Sequence, residues 1–325
     1  MAHSSPLAIT IGDASGVGPE ILLHAFAAGE LVWPFVAFGD IAALRFYNDL
    51  LGYGVPLREI AHVAQYEPGS LNVLNSNSLT AAEITPGKLS RAAGQAAREY
   101  VVAATRAALA QDVRAIVTLP MNKEATCLSD PGFTGHTELI GALCGSKDVT
   151  IMLASDELIV THVSTHVSLL NAIRMAKQPR IQSIIQLTVD AVRKLKPDAR
   201  IAVAGLNPHA GENGLFGDEE IREITPAVKW AQAQGWPVEG PFPPDTVFYL
   251  AVRRKKFDAV VCMYHDQGHV PSKLIDFDGG VNIALGLPIT RTSVDHGTAF
   301  DIAGKGVAST RSLIRAIEYA EKLTG

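Results

Sequence analysis

The residues best suited to chemistry in this chain stand near its C-terminus, in two short polar runs. The first is YHDQGH at residues 264–269, and the second is RTSVDHGTA at residues 291–299. Ionisable groups are expensive to bury, and the chain is 47% hydrophobic, so their density here indicates a working pocket rather than a core. Lys273 and Asn282 lie between the runs and add a cation and an amide.

Three histidines follow three separate predicted strands: His166, His209 and His265. The carboxyl ends of parallel strands meet at one edge of a sheet, so these imidazoles could converge on one divalent ion and leave positions open for substrate oxygens. Taken singly, each is more often a loop histidine than a ligand. His162 and His269 have spacings that compete for the same role.

Further polar residues could bind an anionic substrate. In the GHTE segment, His136, Thr137 and free helix-end amides suit an anionic oxygen, although capping of a helix by Thr137 is the plainer alternative. Arg291 suits bidentate recognition of phosphate or carboxylate. Lys273 is the first candidate for handling a proton.

Two acidic residues, Asp266 and Asp245, are second candidates for the proton-transfer role. Either carboxylate could also belong to a metal shell or simply form a turn. Residue types and spacing do not rank the two.

Two glycine-punctuated loops are candidates for holding a cofactor. GDASGVGPE at residues 12–20 follows a strand and opens a helix, which suits either a phosphate cradle or a bare turn. It is neither a Walker A loop nor GxGxxG. HGTAFDIAGKG at residues 296–306 has polar groups that could hold adenine and ribose. The candidate contacts are Gly12, Asp13, Gly16, Gly18, His296, Gly297, Thr298 and Asp301.

Composition excludes several classes of protein. The net charge of −5 and the absence of a basic run argue against a nucleic-acid partner. No apolar run approaches the roughly 20 residues of a membrane span. The three cysteines are widely spaced, with no CxxC, so we expect a reducing, cytoplasmic setting.

Short apolar runs alternate with longer amphipathic stretches, which predicts an α/β architecture with a largely parallel sheet. Strands are predicted at 7–11, 35–38, 115–119, 149–153, 158–163, 200–204, 259–263 and 281–285. Helices are predicted at 19–28, 89–110, 139–143, 179–194, 218–234 and 309–322.

Seven motifs in order resemble the 4-hydroxythreonine-4-phosphate dehydrogenase family of vitamin B6 biosynthesis. They are GDASGVGPEI, LPMNKEA, GHTE, STH, LNPHAGE, YHDQG and GLPITRTSVDHGTAFDIAGKG. The resemblance implies an isocitrate/isopropylmalate-dehydrogenase-like α/β/α sandwich, with two domains and a cleft between them. We expect residues 1–125 plus 287–325 to form the cofactor-side domain, and 126–286 to form the substrate, metal and dimerisation domain.

The same resemblance implies NAD or NADP as cofactor and one divalent metal per site (Zn, Mg, Co or Mn). The implied metal ligands are His166, His209 and His265, in a homodimer that shares the metal site across its interface. The implied substrate contacts are His136, Thr137, Lys273, Asn282 and Arg291.

The resemblance also implies the reaction. The leading reading is oxidation of 4-phosphohydroxy-L-threonine to 2-amino-3-oxo-4-phosphooxybutanoate, followed by decarboxylation. His269 directly follows Gly268, as is typical of the related phosphothreonate dehydrogenases, so a 4-phosphothreonate or erythronate 3-dehydrogenase is the alternative. From other classes, a metal-dependent phosphatase or hydrolase and a non-catalytic anion-binding protein stay open.

Overall fold

The computed structural model describes residues 5–325, and the chain divides into two compact units. The first unit comprises Met1–Lys147 and Leu287–Gly325, and the second comprises Asp148–Gly286. The expected first boundary, after residue 125, lies before the observed one. His136 and Thr137 therefore belong to the first unit and not to the middle segment.

The strands are β1 Leu7–Thr10, β2 Phe35–Gly39, β3 Leu57–Ile60, β4 Leu71–Asn75, β5 Ala115–Thr118, β6 Thr150–Ala154, β7 Ile159–His162, β8 Ile201–Ala204, β9 Val238–Phe242, β10 Ala259–Cys262, β11 Val281–Leu285 and β12 Thr290–Val294. The α-helices are α1 Gly18–Ala27, α2 Ile41–Leu51, α3 Arg91–Leu109, α4 Lys123–Cys127, α5 His136–Leu143, α6 Leu169–Met175, α7 Gln178–Leu195, α8 Thr225–Ala233, α9 Pro244–Val252, α10 His265–Ile275 and α11 Arg311–Thr324. This arrangement confirms the predicted α/β class.

The first unit contains six parallel strands in the order β3-β4-β2-β1-β5-β12. The inner strands β1, β2 and β5 are fully buried, with Ala8, Val36, Phe38 and Ile116 in one core cluster, as expected when helices cover a parallel sheet. Because β1, β5 and β12 are neighbours, the loops that follow them emerge side by side. The chain segments with the glycine loops and Arg291 are thereby brought together.

The second unit contains the strand order β11-β6-β7-β10-β8-β9. The β11–β6 and β6–β7 pairs are antiparallel, whereas β7, β10, β8 and β9 run parallel. Val160, Ala202, Val247 and Val260 pack in its core. His166, His209 and His265 consequently follow the carboxyl ends of three adjacent parallel strands, β7, β8 and β10.

Some elements were not predicted. Helix α10 contains Gly268 and Pro271 and has no clear apolar period, so its sequence does not indicate a helix. The helix predicted at 218–234 begins as a π-helix at Glu220–Ile224 and continues as α8. Among the described residues, no helix is both long and apolar enough to span a membrane.

The contact between α3 and α4 requires a glycine and gives a direct test of the packing. A Cβ at Gly94 would lie 2.3 Å from the carbonyl carbon of Ala125 and 2.5 Å from its oxygen. Alanine normally favours a helix over glycine by about 1 kcal/mol, but here we expect Gly94→Ala to lower the free energy of unfolding by about 1–3 kcal/mol. Urea denaturation measures the change.

The exposed neighbour on the same helix supplies the control. Gln95→Ala should change the free energy of unfolding by less than about 0.5 kcal/mol. A stabilised Gly94→Ala protein would contradict the packing described for α3 and α4.

Candidate functional site

An open cleft of about 470 Å³ in the second unit holds two of the predicted metal ligands. His166 and His265 both line it, and the centroids of their rings lie 5.8 Å apart at an interplanar angle of 45°. His166 follows β7, and His265 is the first residue of α10. The cleft is also lined by Thr165, Val167, Ser168, Leu169, Ala172, Tyr264 and Asp266.

The carboxylate of Asp266 orients the His265 ring. His265 Nδ1 lies 2.7 Å from Asp266 Oδ1, so Nδ1 carries the hydrogen and donates it. Nε2 then has the lone pair that a divalent metal requires, in the carboxylate–histidine arrangement common to metal sites. Asp266, which was considered for proton transfer, is placed here as the partner of His265.

His209 lies on an unusual left-handed turn. Five consecutive residues from 209 to 213 have positive φ, including His209 at 52° and Glu212 at 42°. Such backbone costs on the order of 1–3 kcal/mol per non-glycine residue and persists only where its surroundings impose it. Glu220 holds the chain just before the turn: its Oε1 accepts from the backbone amides of Leu206 and Asn207, each at 2.7 Å.

The turn leaves the His209 side chain exposed, with its ring centroid 6.2 Å from that of Phe216. Across residues 5–325 of one copy, no group of three or more His, Cys, Asp or Glu side chains is arranged to hold a metal. A single copy therefore brings His166 and His265 together but does not complete a three-histidine set with His209.

The two competing histidines have different environments. His162 is buried on β7, and its Nε2 lies 3.1 Å from His269 Nδ1. Burial, and then the nearby His269, lower the pKa of His162 from 6.5 to about 3, so this ring is a neutral interior group. His269 lies on α10, with its ring stacked on that of His265 at a centroid distance of 3.6 Å.

The remaining residues predicted in the second unit lie on three elements. Lys273 is on α10, eight residues after His265, and its Nζ lies 5.0 Å from the centroid of the Phe277 ring. Asn282 is on β11 and is half-buried, whereas Asp245 is exposed in the first turn of α9. Lys273 therefore shares a helix with a predicted metal ligand.

In the first unit, the start of α5 has the chemistry of an anion site. Its N-cap is Gly135, with no side-chain cap, so Thr137 does not cap this helix. His136 Nε2 is buried without a hydrogen-bond partner among the described residues. Burial, and then the charges of Arg291 and Lys123, lower the pKa of His136 from 6.5 to about 3. An anion bound here would satisfy the imidazole.

Arg291, on β12, is a second group with the chemistry to bind an anion. It is buried on β12, and its Nη2 donates to Thr118 Oγ1 at 2.7 Å. Burial lowers the pKa of Arg291 to about 10, opposed by the carboxylate of Glu138. Lys123, which had no predicted role, acts on His136 electrostatically, and its place in the LPMNKEA motif was the available signal.

The two glycine loops of the first unit contact each other. The Val17 amide donates to the Thr298 carbonyl at 3.0 Å, and a Cβ at Gly16 would lie 2.8 Å from that carbonyl oxygen. Gly12 has a φ of +72°, and its Cβ would lie 2.3 Å from the Pro120 carbonyl oxygen. Similarly, Gly18 approaches the Ile11 carbonyl too closely for any side chain.

Two acidic residues hold these loops by hydrogen bonds to backbone amides. Glu20 Oε2 accepts from the Gly304 amide at 2.6 Å, which ties the start of α1 to the second loop, a role that no sequence pattern predicts. Asp13 is fully buried and accepts from the Ser15 amide at 2.8 Å. Its Oδ2 has no partner among the described residues. His296, Gly297 and Asp301, the other predicted cofactor contacts, lie along the second loop and keep some exposure.

Comparison with known proteins identifies the family of this chain. The family model described as "Pyridoxal phosphate biosynthetic protein PdxA" matches residues 31–320. The chain belongs to the PdxA family. The predicted family is thereby confirmed, and so is the predicted class of oxidoreductase, since its PdxA relatives are named as dehydrogenases.

Two relatives carry different substrate names. A 4-hydroxythreonine-4-phosphate dehydrogenase from Beijerinckia indica is 47% identical over 98% of this chain and 95% of its own. A D-threonate 4-phosphate dehydrogenase from Salmonella typhimurium is 45% identical over 99% of both chains. The crystal structure of a 4-hydroxythreonine-4-phosphate dehydrogenase from Klebsiella pneumoniae has 44% identity and a TM-score of 0.88, covering 99% of this chain and 100% of that chain.

The buried Asp13 carboxyl predicts a pH dependence of stability. Burial, opposed by the amides of Ser15 and Asn122, raises the pKa of Asp13 from 3.8 to about 6. The folded state therefore holds the proton more tightly, and this contribution to stability, on the order of 3 kcal/mol, is present below about pH 4 and is lost as the pH rises to about 6. Asp13→Asn should recover that stability near pH 8 but gain nothing of this kind below about pH 4.

Thermal unfolding from pH 4 to 8 measures the difference between the Asp13→Asn and native proteins. Asp49→Asn, at an exposed position on α2, is the matched control. A difference for Asp13→Asn that stays constant over this pH range would refute the buried, proton-retaining carboxyl.

Proposed function

We propose that this protein is an NAD- or NADP-dependent, divalent-metal-dependent dehydrogenase that oxidises the 3-hydroxyl group of a 4-phosphorylated hydroxy acid. The observation that carries the proposal is the His166–His265 pair in an open cleft, with the Nε2 lone pair of His265 set by Asp266. The principal substrate proposed is 4-hydroxythreonine 4-phosphate, with subsequent decarboxylation. D-threonate 4-phosphate is the second candidate, supported by the 45% identical relative of that name.

The histidines fit a divalent metal when two copies of the chain are considered. His166 and His265 supply two imidazoles at one cleft, whereas His209 is exposed elsewhere on the second unit. Large apolar side chains flank both places and are at least half exposed: Leu169, Leu170, Leu215 and Phe216. Exposed apolar surface of this kind marks an interface. We infer a homodimer in which His209 of a second copy completes the ligand set.

The chain's own residues then perform distinct tasks. A bound metal would supply Lewis acidity, and a bound nicotinamide would accept hydride. His136, Thr137 and Arg291 bind the anionic phosphate, which fixes the substrate's position. Lys273, when its amine is uncharged, takes up the proton of the hydroxyl group that is oxidised, and Asn282 donates a hydrogen bond to the substrate. Asp245, at its exposed position on α9, is the alternative proton acceptor.

The glycine loops of the first unit hold the cofactor. Gly12, Gly16 and Gly18 each lie too close to a neighbouring backbone carbonyl for a side chain, which fixes the path of the first loop. Backbone amides at the start of α1 would bind phosphate oxygens of the cofactor. In the second loop, His296, Gly297, Thr298 and Asp301 contact the adenosine.

Formation of NADH or NADPH at 340 nm tests the proposed reaction. We expect turnover with 4-hydroxythreonine 4-phosphate and abolition of turnover by EDTA, because the histidines need a metal to act on the alcohol. D-threonate 4-phosphate is tested in parallel and decides between the two substrates. Turnover that ignores EDTA would remove the metal from the reaction, and phosphate release without cofactor reduction would indicate a hydrolase.

Mixed dimers test whether two copies share the metal site. His209→Ala and His265→Ala should each lower kcat by at least about 100-fold, with NAD affinity retained, because each removes a ligand. A random mixture of the two variants should recover about a quarter of native activity, since half the dimers regain one of their two sites. No recovery in confirmed heterodimers would place all the ligands within one copy.

A further inference from the structure

Two further histidines, His162 and His269, join α10 to the sheet of the second unit. His162 Nδ1 lies 3.3 Å from the carbonyl oxygen of Ile151 on β6. A carbonyl only accepts, so Nδ1 carries the hydrogen of this neutral ring, and Nε2 carries the lone pair. The Thr150 hydroxyl also donates to the backbone carbonyl of His162 at 2.6 Å, which fixes the residue from a second side.

His269 reaches this lone pair from α10. Its Nδ1 lies 3.1 Å from His162 Nε2 and 3.1 Å from the backbone carbonyl of His265. Both partners are acceptors, so His269 Nδ1 is the donor to both. The His269 ring also lies flat on the His265 ring, with a centroid distance of 3.6 Å and an interplanar angle of 10°. One side chain therefore contacts both the buried anchor and the candidate metal ligand.

The chain makes room for this contact at one position. A Cβ at Gly268 would lie 2.4 Å from His162 Nε2 and 3.1 Å from Cys262 Sγ. Any larger residue would push α10 away from β7 and lengthen the His162–His269 hydrogen bond. The glycine is thus required by close packing, and its φ lies outside the positive range.

We propose that His269 is a positioning residue: its Nδ1–H bond to His162 fixes α10 so that His265 presents its Nε2 in one orientation for a divalent metal. The proposal rests on the proposed function, because it needs His265 to be a metal ligand. Outer-shell groups that orient ligand histidines commonly change metal affinity by about 10–100-fold when removed. Asp266 accepts a hydrogen bond from the edge of the His265 ring. His269 stacks on the face of that ring and bonds α10 to His162 of β7.

Three substitutions separate this role from a direct contact between His269 Nε2 and the substrate. His269→Asn keeps an N–H donor near the position of Nδ1. His269→Gln places its amide near the position of Nε2 instead, and His269→Leu keeps neither polar group. Rescue by Asn, but not by Gln, is therefore the signature of the bond to His162.

The test measures Zn²⁺ affinity by competition with a chromophoric chelator on metal-stripped protein, together with kcat and KM. We expect His269→Leu and His269→Gln to weaken Zn²⁺ binding by about 10–100-fold, and His269→Asn to stay within about threefold of the native protein. His62→Asn, at an exposed histidine of the first unit, is the control. Thermal unfolding in EDTA establishes that each variant folds; if His269→Leu does not, the comparison of Asn with Gln decides.

Native affinity in His269→Leu, equal loss in Asn and Gln, or rescue by Gln alone would each overturn the proposal. The His265→Ala variant distinguishes an error in the positioning role of His269 from an error in the proposed metal site. If His265→Ala binds Zn²⁺ as the native protein does, the proposed metal site itself is wrong. If His265→Ala loses Zn²⁺ while His269→Leu retains it, only the positioning role is wrong.

Discussion

Parallel pairing of β7, β10 and β8 governs the chemistry of the second unit, because it points three strand ends in the same direction. Each end leads to a histidine, yet only His166 and His265 meet. The left-handed turn at 209–213 leaves His209 exposed, and Glu220 holds the chain just before this turn. Strained backbone of this kind persists only where its surroundings impose it, and the dimer proposed above gives the exposed imidazole a role.

Buried polar atoms without a partner among the described residues occur in the first glycine loop and at the candidate anion site of the first unit. His136 Nε2 and Asp13 Oδ2 are both buried and lack hydrogen-bond partners among residues 5–325. Such atoms cost stability, by on the order of 1–3 kcal/mol each, unless a ligand or water satisfies them. The pKa values of both groups are shifted in the direction that keeps them neutral. In the function proposed above, a bound ligand satisfies these two groups.

The strands and the places where polar residues cluster could be predicted from the sequence, whereas contacts between residues distant in the chain could not. Strands such as β1, β5 and β10 are short apolar runs, and their ends predicted where polar residues would cluster. Helix α10 was missed because Gly268 and Pro271 break its pattern; Gly268 is there for contact with His162, which is 106 residues away in the chain. Long-range contacts of this kind leave no periodic signal.

The same limit applies to individual residues of the site. Glu20 accepts a hydrogen bond from the distant Gly304 amide, and the charge of Lys123 lowers the pKa of His136. Neither role depends on a local residue spacing, so no sequence pattern predicts it. The left-handed turn was equally hidden, since non-glycine residues rarely adopt positive φ. The sequence predicted all three histidines as metal ligands. Only the structure shows that His166 and His265 line one cleft and that His209 does not.

Anomalous diffraction at the zinc edge, from crystals of the metal-loaded protein, shows which histidines of which copy bind the metal. We expect one peak per site, about 2.0–2.1 Å from imidazole nitrogens of His166 and His265 in one copy and of His209 in a second. A peak bound by all three histidines of one copy, or a peak away from His166 and His265, would contradict it.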